Sequence, residues 1–137
     1  MNITTYTSYD EVRLTVGLST DELTDAELSK LLYANVLSLA ISGVTLPSAL
    51  GAGTFASIFA AIGLIAEASR TAVQQRFYDL ARLYATYVVA NEVAVSLPMR
   101  APKMIADSKA SLTRVRPEAT FKDVIKSISD RLSEIKG

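Results

Sequence analysis

Apolar residues recur at three- and four-residue intervals through most of the chain. Phe55, Ile58, Phe59, Ile62 and Ile65 fall on one helical face, and Phe77, Leu80, Leu83 with Tyr84, Tyr87 and Val88 on another. The stretch from Gly53 to Ser96 contains no proline, and its only glycines are Gly53 and Gly63. It predicts one very long helix, or two helices broken near Ala68–Thr71. The break is favoured, because a single helix of that length exceeds the usual globular range. Its first half is apolar nearly all round; its second half carries charge on the outer face.

The same pattern orders the rest. Residues 2–7 are polar and β-prone and read as an irregular arm. Ser8–Glu11 is a capping box opening a short helix with Tyr9, Val12 and Val16 on one face, and Gly17 is placed to end it. Thr24–Glu27 is a second box, opening a helix whose stripe is Leu28, Leu31, Leu32, Asn35, Val36 and Leu39. Gly43 and Pro47 close that helix, and residues 43–53 connect it to the central stretch. Small residues at Ala52, Ala56 and Ala60, and at Gly53, Ser57 and Ala61, predict close helix packing. Leu97-Pro98 is expected to end the central helices. Residues 97–117 hold three of the four prolines and read as an extended excursion, with a short strand at Ser111–Val115. A last helix over 120–136 has the stripe Phe121, Val124, Ile125, Ile128, Leu132 and Ile135. The expected fold is therefore all-α: one domain spanning 1–137, a small bundle of four to five helices. Its body covers about 8–96, and a long extended arm precedes the C-terminal helix.

Charge changes this picture in one respect. The formal net charge is zero, with 14 basic and 14 acidic residues. Residues 1–66, however, hold six acids against Arg13 and Lys30, and residues 97–137 hold nine bases against five acids. An acidic front and a basic rear attract neighbouring copies head to tail, or a partner of matching sign. Arg76, Asp79 and Arg82 are spaced as a solvated ion-pair row. Tyr78, Tyr84 and Tyr87 belong at the edge of the core or in a subunit interface, where their hydroxyls find partners.

Between Lys30 and Glu67 no residue is charged, and residues 48–66 are long enough and apolar enough to cross a bilayer. Pro47, Gly51 and Gly53 interrupt the start, and no basic cluster flanks either end. A helix buried by its own fold or by sister subunits is the preferred reading, and a membrane span the competing one. MNITTYTSYDE lacks the basic and apolar regions of a signal peptide, so none is expected.

Candidate chemistry is sparse. The chain has no histidine, cysteine or tryptophan, which removes the usual general base, thiolate nucleophile, disulfides and common metal ligands. No Walker loop, nucleophile elbow or G-x-G-x-x-G occurs. Asp21, Glu22, Asp25 and Glu27 lack EF-hand spacing and read as acids favoured at a helix N-terminus. The expectation is no enzyme, no catalytic residue, no metal and no cofactor.

Two stretches resemble the head–tail connector proteins of tailed bacteriophages, the adaptor or head-completion family that docks beneath the portal. YDEVRLTVGLSTDELTDAELSKLLY looks like that family's short helix, glycine turn, acidic element and second helix. FYDLARLYATYVVANEVAVSLPMRAPKMIADSKASLTRV is similar to a pattern in phage neck proteins: an aromatic helix, Leu-Pro, a further proline, then Asp-Gly-Lys-Ala-Ser before an arginine. Here Asp107-Ser108-Lys109-Ala110-Ser111 has serine in place of that glycine. Together the two stretches cover about half the chain. The resemblance implies a ring, usually twelve-fold, that extends the DNA channel in the virion neck after assembly in the host cytoplasm. The implied partners are further copies of the chain, the portal, and the next neck or tail protein. DNA would pass without sequence-specific binding, and no membrane is involved. Arg100, Lys103, Lys109, Arg114 and Arg116 would face the portal or the channel. Phe121, Val124, Ile125, Ile128 and Leu132 would dock the C-terminal helix. Ala56, Phe59, Ala60, Tyr84 and Tyr87 would pack subunits side by side. Two alternatives remain open: a small membrane-associated helical protein with residues 48–66 as its span, and a helical nucleic-acid-binding module using the basic 97–117 loop.

Overall fold

The computed structural model describes residues 2–100 and 118–135. Among them the chain is helical without a strand, as the periodicity predicts. The helices are α1 (Tyr9–Val16), α2 (Asp25–Leu28), α3 (Leu31–Ser42), α4 (Phe55–Gly63), α5 (Ala72–Arg100) and α6 (Glu118–Ser133). Single 3₁₀ turns occupy Ile3–Thr5, Ser48–Leu50 and Glu67–Ser69.

Helix α5 is the spine, and α1, α3, α4 and α6 all pack on it. It opens with a reciprocal cap: the Thr71 amide donates to the Gln74 side-chain oxygen, and the Gln74 amide to the Thr71 hydroxyl. Its buried line is Phe77, Ala81, Tyr84, Ala85 and Val88. This corrects the predicted stripe, since Leu83 is 42% exposed and Leu80 only partly buried. The alanines admit close neighbours, so the packed face centres on small residues rather than on the large ones that dominate the sequence pattern. From Tyr84 to Ala90 every residue except half-buried Tyr87 is buried, because helices surround α5 at this level.

The break between α4 and α5 falls where expected, around the 67–69 turn. Arg70 fixes it: Nε donates to the Ile65 carbonyl, one terminal nitrogen to Gln75, and the guanidinium lies 4.3 Å from the Tyr78 ring centre. Tyr78 in turn stacks on Phe59 at 4.4 Å between centres. On α4 the buried face is Phe55, Ile58, Phe59 and Ile62, as predicted. Gly53 stands just before this helix at a φ of 144°. A Cβ there would meet the Ser57 hydroxyl at 2.9 Å and Ile58 at 3.2 Å, so both backbone and space require glycine.

Four further expectations are corrected. Residues 2–7 are not an irregular arm: they hold the Ile3–Thr5 turn, Ile3, Tyr6 and Thr7 are buried, and Tyr6 packs on Phe55 and Phe59. The predicted second helix is two, α2 and α3, because Lys30 is extended (ψ 146°). That step resets the helical phase. Tyr33, Ala34 and Leu37 are buried, while Leu31 and Leu39 of the predicted stripe face outward. The third correction is Leu97-Pro98, which does not end α5. The helix runs on to Arg100, so the bond lost at Pro98 and the ring's clash with the preceding turn, which commonly kink or end a helix, are taken up within its last turn. The last concerns Arg76, Asp79 and Arg82, which form no ion-pair row among the described residues: Arg82 reaches Glu11 of α1, and Asp79 accepts from the Gln75 amide.

The C-terminal stripe behaves as read. Phe121, Ile128, Leu132 and Ile135 are buried and Val124 and Ile125 partly so, with Phe121 edge-on to Tyr87. These residues seal α6 onto the chain's own α5.

Candidate interaction surfaces

Three surfaces stand out once the core is assigned. The first is an acidic corner at α1 and α2. Ser8 caps α1 by accepting from the Glu11 amide, and Gly17 ends it in the left-handed region at φ 84°. This holds Arg13 inward at 5% exposure. Its Nε donates to the Leu23 carbonyl at 2.6 Å, one terminal nitrogen to Asp10 at 2.9 Å, and the other to Asp25. The hydrogen bond to Asp25 outweighs burial and holds the guanidinium pKa above its ordinary value. The two carboxylates remain largely in water, with side chains 92% and 68% exposed. Both capping glutamates are engaged elsewhere than the box predicts. Glu11 accepts from Thr7 and Arg82, and Glu27 from Lys30 and the Tyr33 hydroxyl. A further reciprocal cap, which the sequence reading missed, joins Ser19 and Glu22. Glu22, Asp25 and Glu27 therefore serve local structure, and the described residues hold no cluster fit for a metal ion.

The second surface is the outward side of α3 and α4. It carries no charged residue, and Leu31, Leu39 and Leu64 project from this part of the chain at 72%, 75% and 90% exposure. Ala56 and Ala60 are exposed on α4 as well. No described helix is long and apolar enough to cross a membrane, and the 48–66 run divides into a turn, a glycine-rich link and the nine-residue α4.

The third is a groove of about 430 Å³ between α3, α5 and α6. Val36, Ala40, Tyr84, Val88 and Ile125 form its apolar lining, with Lys122, Lys126 and Asp130 along the α6 rim. The Tyr84 hydroxyl donates to the Ala40 carbonyl, which ties α3 to α5; burial raises the pKa of Tyr84, as it does that of Tyr6. Asn91 also lines the groove. Its Oδ1 is buried without a hydrogen-bond partner, the one such side-chain atom among the described residues. Such an oxygen costs about 1–3 kcal/mol.

Of the residues assigned from sequence, Phe59 and Tyr84 lie in the chain's own core, Tyr84 also lining the groove; Tyr87 is half-buried, and Ala56 and Ala60 are exposed. The stripe on α6 packs on α5, with Ile125 also lining the groove. Arg100 falls at the end of α5, while Lys103, Lys109, Arg114 and Arg116 and the strand expected at Ser111–Val115 lie outside the described residues. The sequence reading missed Asn91 and the Arg13 clamp. A lone arginine in a short amphipathic helix was the only available signal for the clamp. Compared with known proteins, the chain matches no family model, no curated protein and no solved structure.

Proposed function

We propose that this chain is a ring-forming head–tail adaptor of a tailed bacteriophage. It docks beneath the portal, extends the DNA channel and presents a surface to the next neck or tail protein. The observation that carries this reading is the outward side of α3 and α4. Single exposed leucines are ordinary. Two successive helices whose outer faces bear no charge at all, with three leucines between 72% and 90% exposed, are what a subunit covered by other proteins needs. The likeness of residues 9–33 and 77–115 to connector proteins supports the same reading, as does the all-helical fold. On this reading Arg100, Lys103, Lys109, Arg114 and Arg116 meet the portal or line the channel, and DNA slides past without sequence-specific contact.

The test is the mass of the purified protein by light scattering, alone and with the portal encoded beside it. A discrete ring-sized addition to the portal is the expected result. A chain that ignores the portal and retains DNA in a salt-dependent way sinks the proposal in favour of a nucleic-acid-binding module. A chain that leaves the membrane fraction only with detergent sinks it in favour of a membrane protein.

A further inference from the structure

Leu64, just past the end of α4, and a hollow at the start of the same helix complement each other, and we infer that they meet between neighbouring copies of this chain. The inference rests on the ring-forming reading and names the surfaces of its contact.

The hollow measures about 460 Å³ and lies between the end of α3, the link that follows it and the start of α4. Ile41, Val44, Leu46, Phe55 and Ala56 give it an apolar wall, and none of its lining residues is charged. Tyr6 adds one polar atom. Its ring packs on Phe55 and Phe59, and the residue is 3% exposed. Burial alone shifts its pKa, with no hydrogen bond contributing. The hydroxyl is not enclosed either, because Asn91 Oδ1 is the one enclosed side-chain atom without a partner among the described residues. The Tyr6 hydroxyl therefore opens onto the hollow that its side chain lines. Such a site suits an uncharged occupant that brings an apolar side chain and, beside it, an acceptor for the phenol.

Leu64 brings both. Its side chain is 90% exposed, and its carbonyl accepts no hydrogen bond among the described residues, Arg70 having taken the next carbonyl, that of Ile65. The other exposed leucines fit less well. Leu14 and Leu83 share the α1–α5 cleft with Asp79 and the Glu11–Arg82 pair. Leu31 adjoins Lys30, which pairs with Glu27. Leu39 has already given its carbonyl to the Ser42 hydroxyl.

Leu64 lies about two turns beyond Ala56, roughly 12 Å along α4. Knob and hollow are thus two different surfaces, so the contact is heterologous, the kind that closes into a ring when the rotation between subunits allows. No ion pair holds it, so its strength does not fall with salt.

The full chain has no cysteine, so introduced thiols report this contact without competition. Ser38→Cys marks the hollow, and Ala60→Cys marks the knob, one turn before Leu64; both positions are exposed, and circular dichroism checks that the variants are helical. With a short bismaleimide, an equal mixture of the two is expected to cross-link ~10-fold faster than either variant alone. Sedimentation over concentration is expected to show self-association of the wild type at low and high salt alike. Leu64→Ser should weaken it by ~10-fold or more, and Tyr6→Phe by about 5-fold. A wild type that stays monomeric at millimolar concentration overturns the inference. So does association that disappears at high salt, association indifferent to both Leu64→Ser and Tyr6→Phe, or a mixture that cross-links no faster than its components. The two readings fail separately. Rings that join the portal yet lack the mixed cross-link remove this contact and leave the adaptor. A salt-indifferent, cross-linked oligomer that ignores the portal does the reverse.

Discussion

Arg13 and Asn91 are both polar side chains drawn into a helical body, and they are treated in opposite ways. Every arm of Arg13 that points inward has an acceptor: the Leu23 carbonyl, Asp10 and Asp25. Asn91 keeps an oxygen with no donor among the described residues, beside the groove between α3, α5 and α6. A buried group with all its partners belongs to the fold of the single chain. A buried group lacking one costs stability while the chain is alone, and that cost is tolerable where an assembled neighbour removes it. The contrast divides the molecule into a corner whose polar groups are paired within the chain and a groove that keeps one unpaired oxygen.

The largest effect should come from breaking the finished side. Arg13→Ala leaves the Leu23 carbonyl without its donor and removes the packing of the arginine stem. A loss of about 3 kcal/mol in urea unfolding is expected. Arg13→Lys should recover part of it, because a lysine keeps the charge but cannot serve three acceptors in a fork. The carboxylates sharpen the point. Asp10, 92% exposed, should cost under about 1 kcal/mol when changed to alanine, and Asp25→Ala more, as Asp25 is the less exposed of the two and ties α2 to α1 through Arg13. Equal losses for the two aspartates would mean that the corner is held by general charge rather than by this geometry.

The unfinished side should respond with the opposite sign. Asn91→Leu removes the unpaired oxygen while keeping the branched shape, and the groove takes up the added volume, so the isolated chain should gain about 1 kcal/mol. If self-association uses the groove, it should weaken in the same variant. A variant that unfolds more easily than the wild type would show that Asn91 is satisfied within the chain.

Alkaline pH probes the groove wall from another direction. Burial raises the pKa of Tyr84 and Tyr6 above the ordinary 10.0, so their folded forms resist ionisation that the unfolded chain allows. The stability this gives is intact below pH 10.0 and is lost as pH rises above it. Urea midpoints should therefore fall on crossing that value, and the fall should shrink in Tyr6→Phe and Tyr84→Phe. The second variant should also cost about 1 kcal/mol at neutral pH, through the lost bond to the Ala40 carbonyl.

How much of this could be read from the chain follows from what periodicity encodes. The α4 face, the α6 stripe, the Ser8 and Thr24 caps, Gly17 and the break before α5 are all local patterns, and all were legible. The α2–α3 step was not, because Lys30 carries no breaking signal; its extended backbone interrupts an apolar run that reads as continuous. The central stripe of α5 was misplaced by one position because Ala81 and Ala85 give weak hydrophobic signals yet sit deepest. The interaction surfaces were the least legible, since Asn91, Tyr6 and Leu64 gain meaning only from what the fold leaves beside them.

The smallest effect tests the surface on which the functional proposal rests. Leu64 is 90% exposed, so Leu64→Ser removes almost no buried area from the monomer, and its unfolding free energy should stay within about 0.5 kcal/mol of the wild type. The same change on a subunit of a larger assembly acts on surface that a neighbour covers. Loss of portal binding at unchanged stability would place Leu64 in an interface distinct from the corner and the groove, because no charge of α3 or α4 could carry that loss. Loss of stability in the isolated chain would instead mean that the outward side of α4 is covered by the chain itself, and the exposed leucines would no longer argue for an assembly.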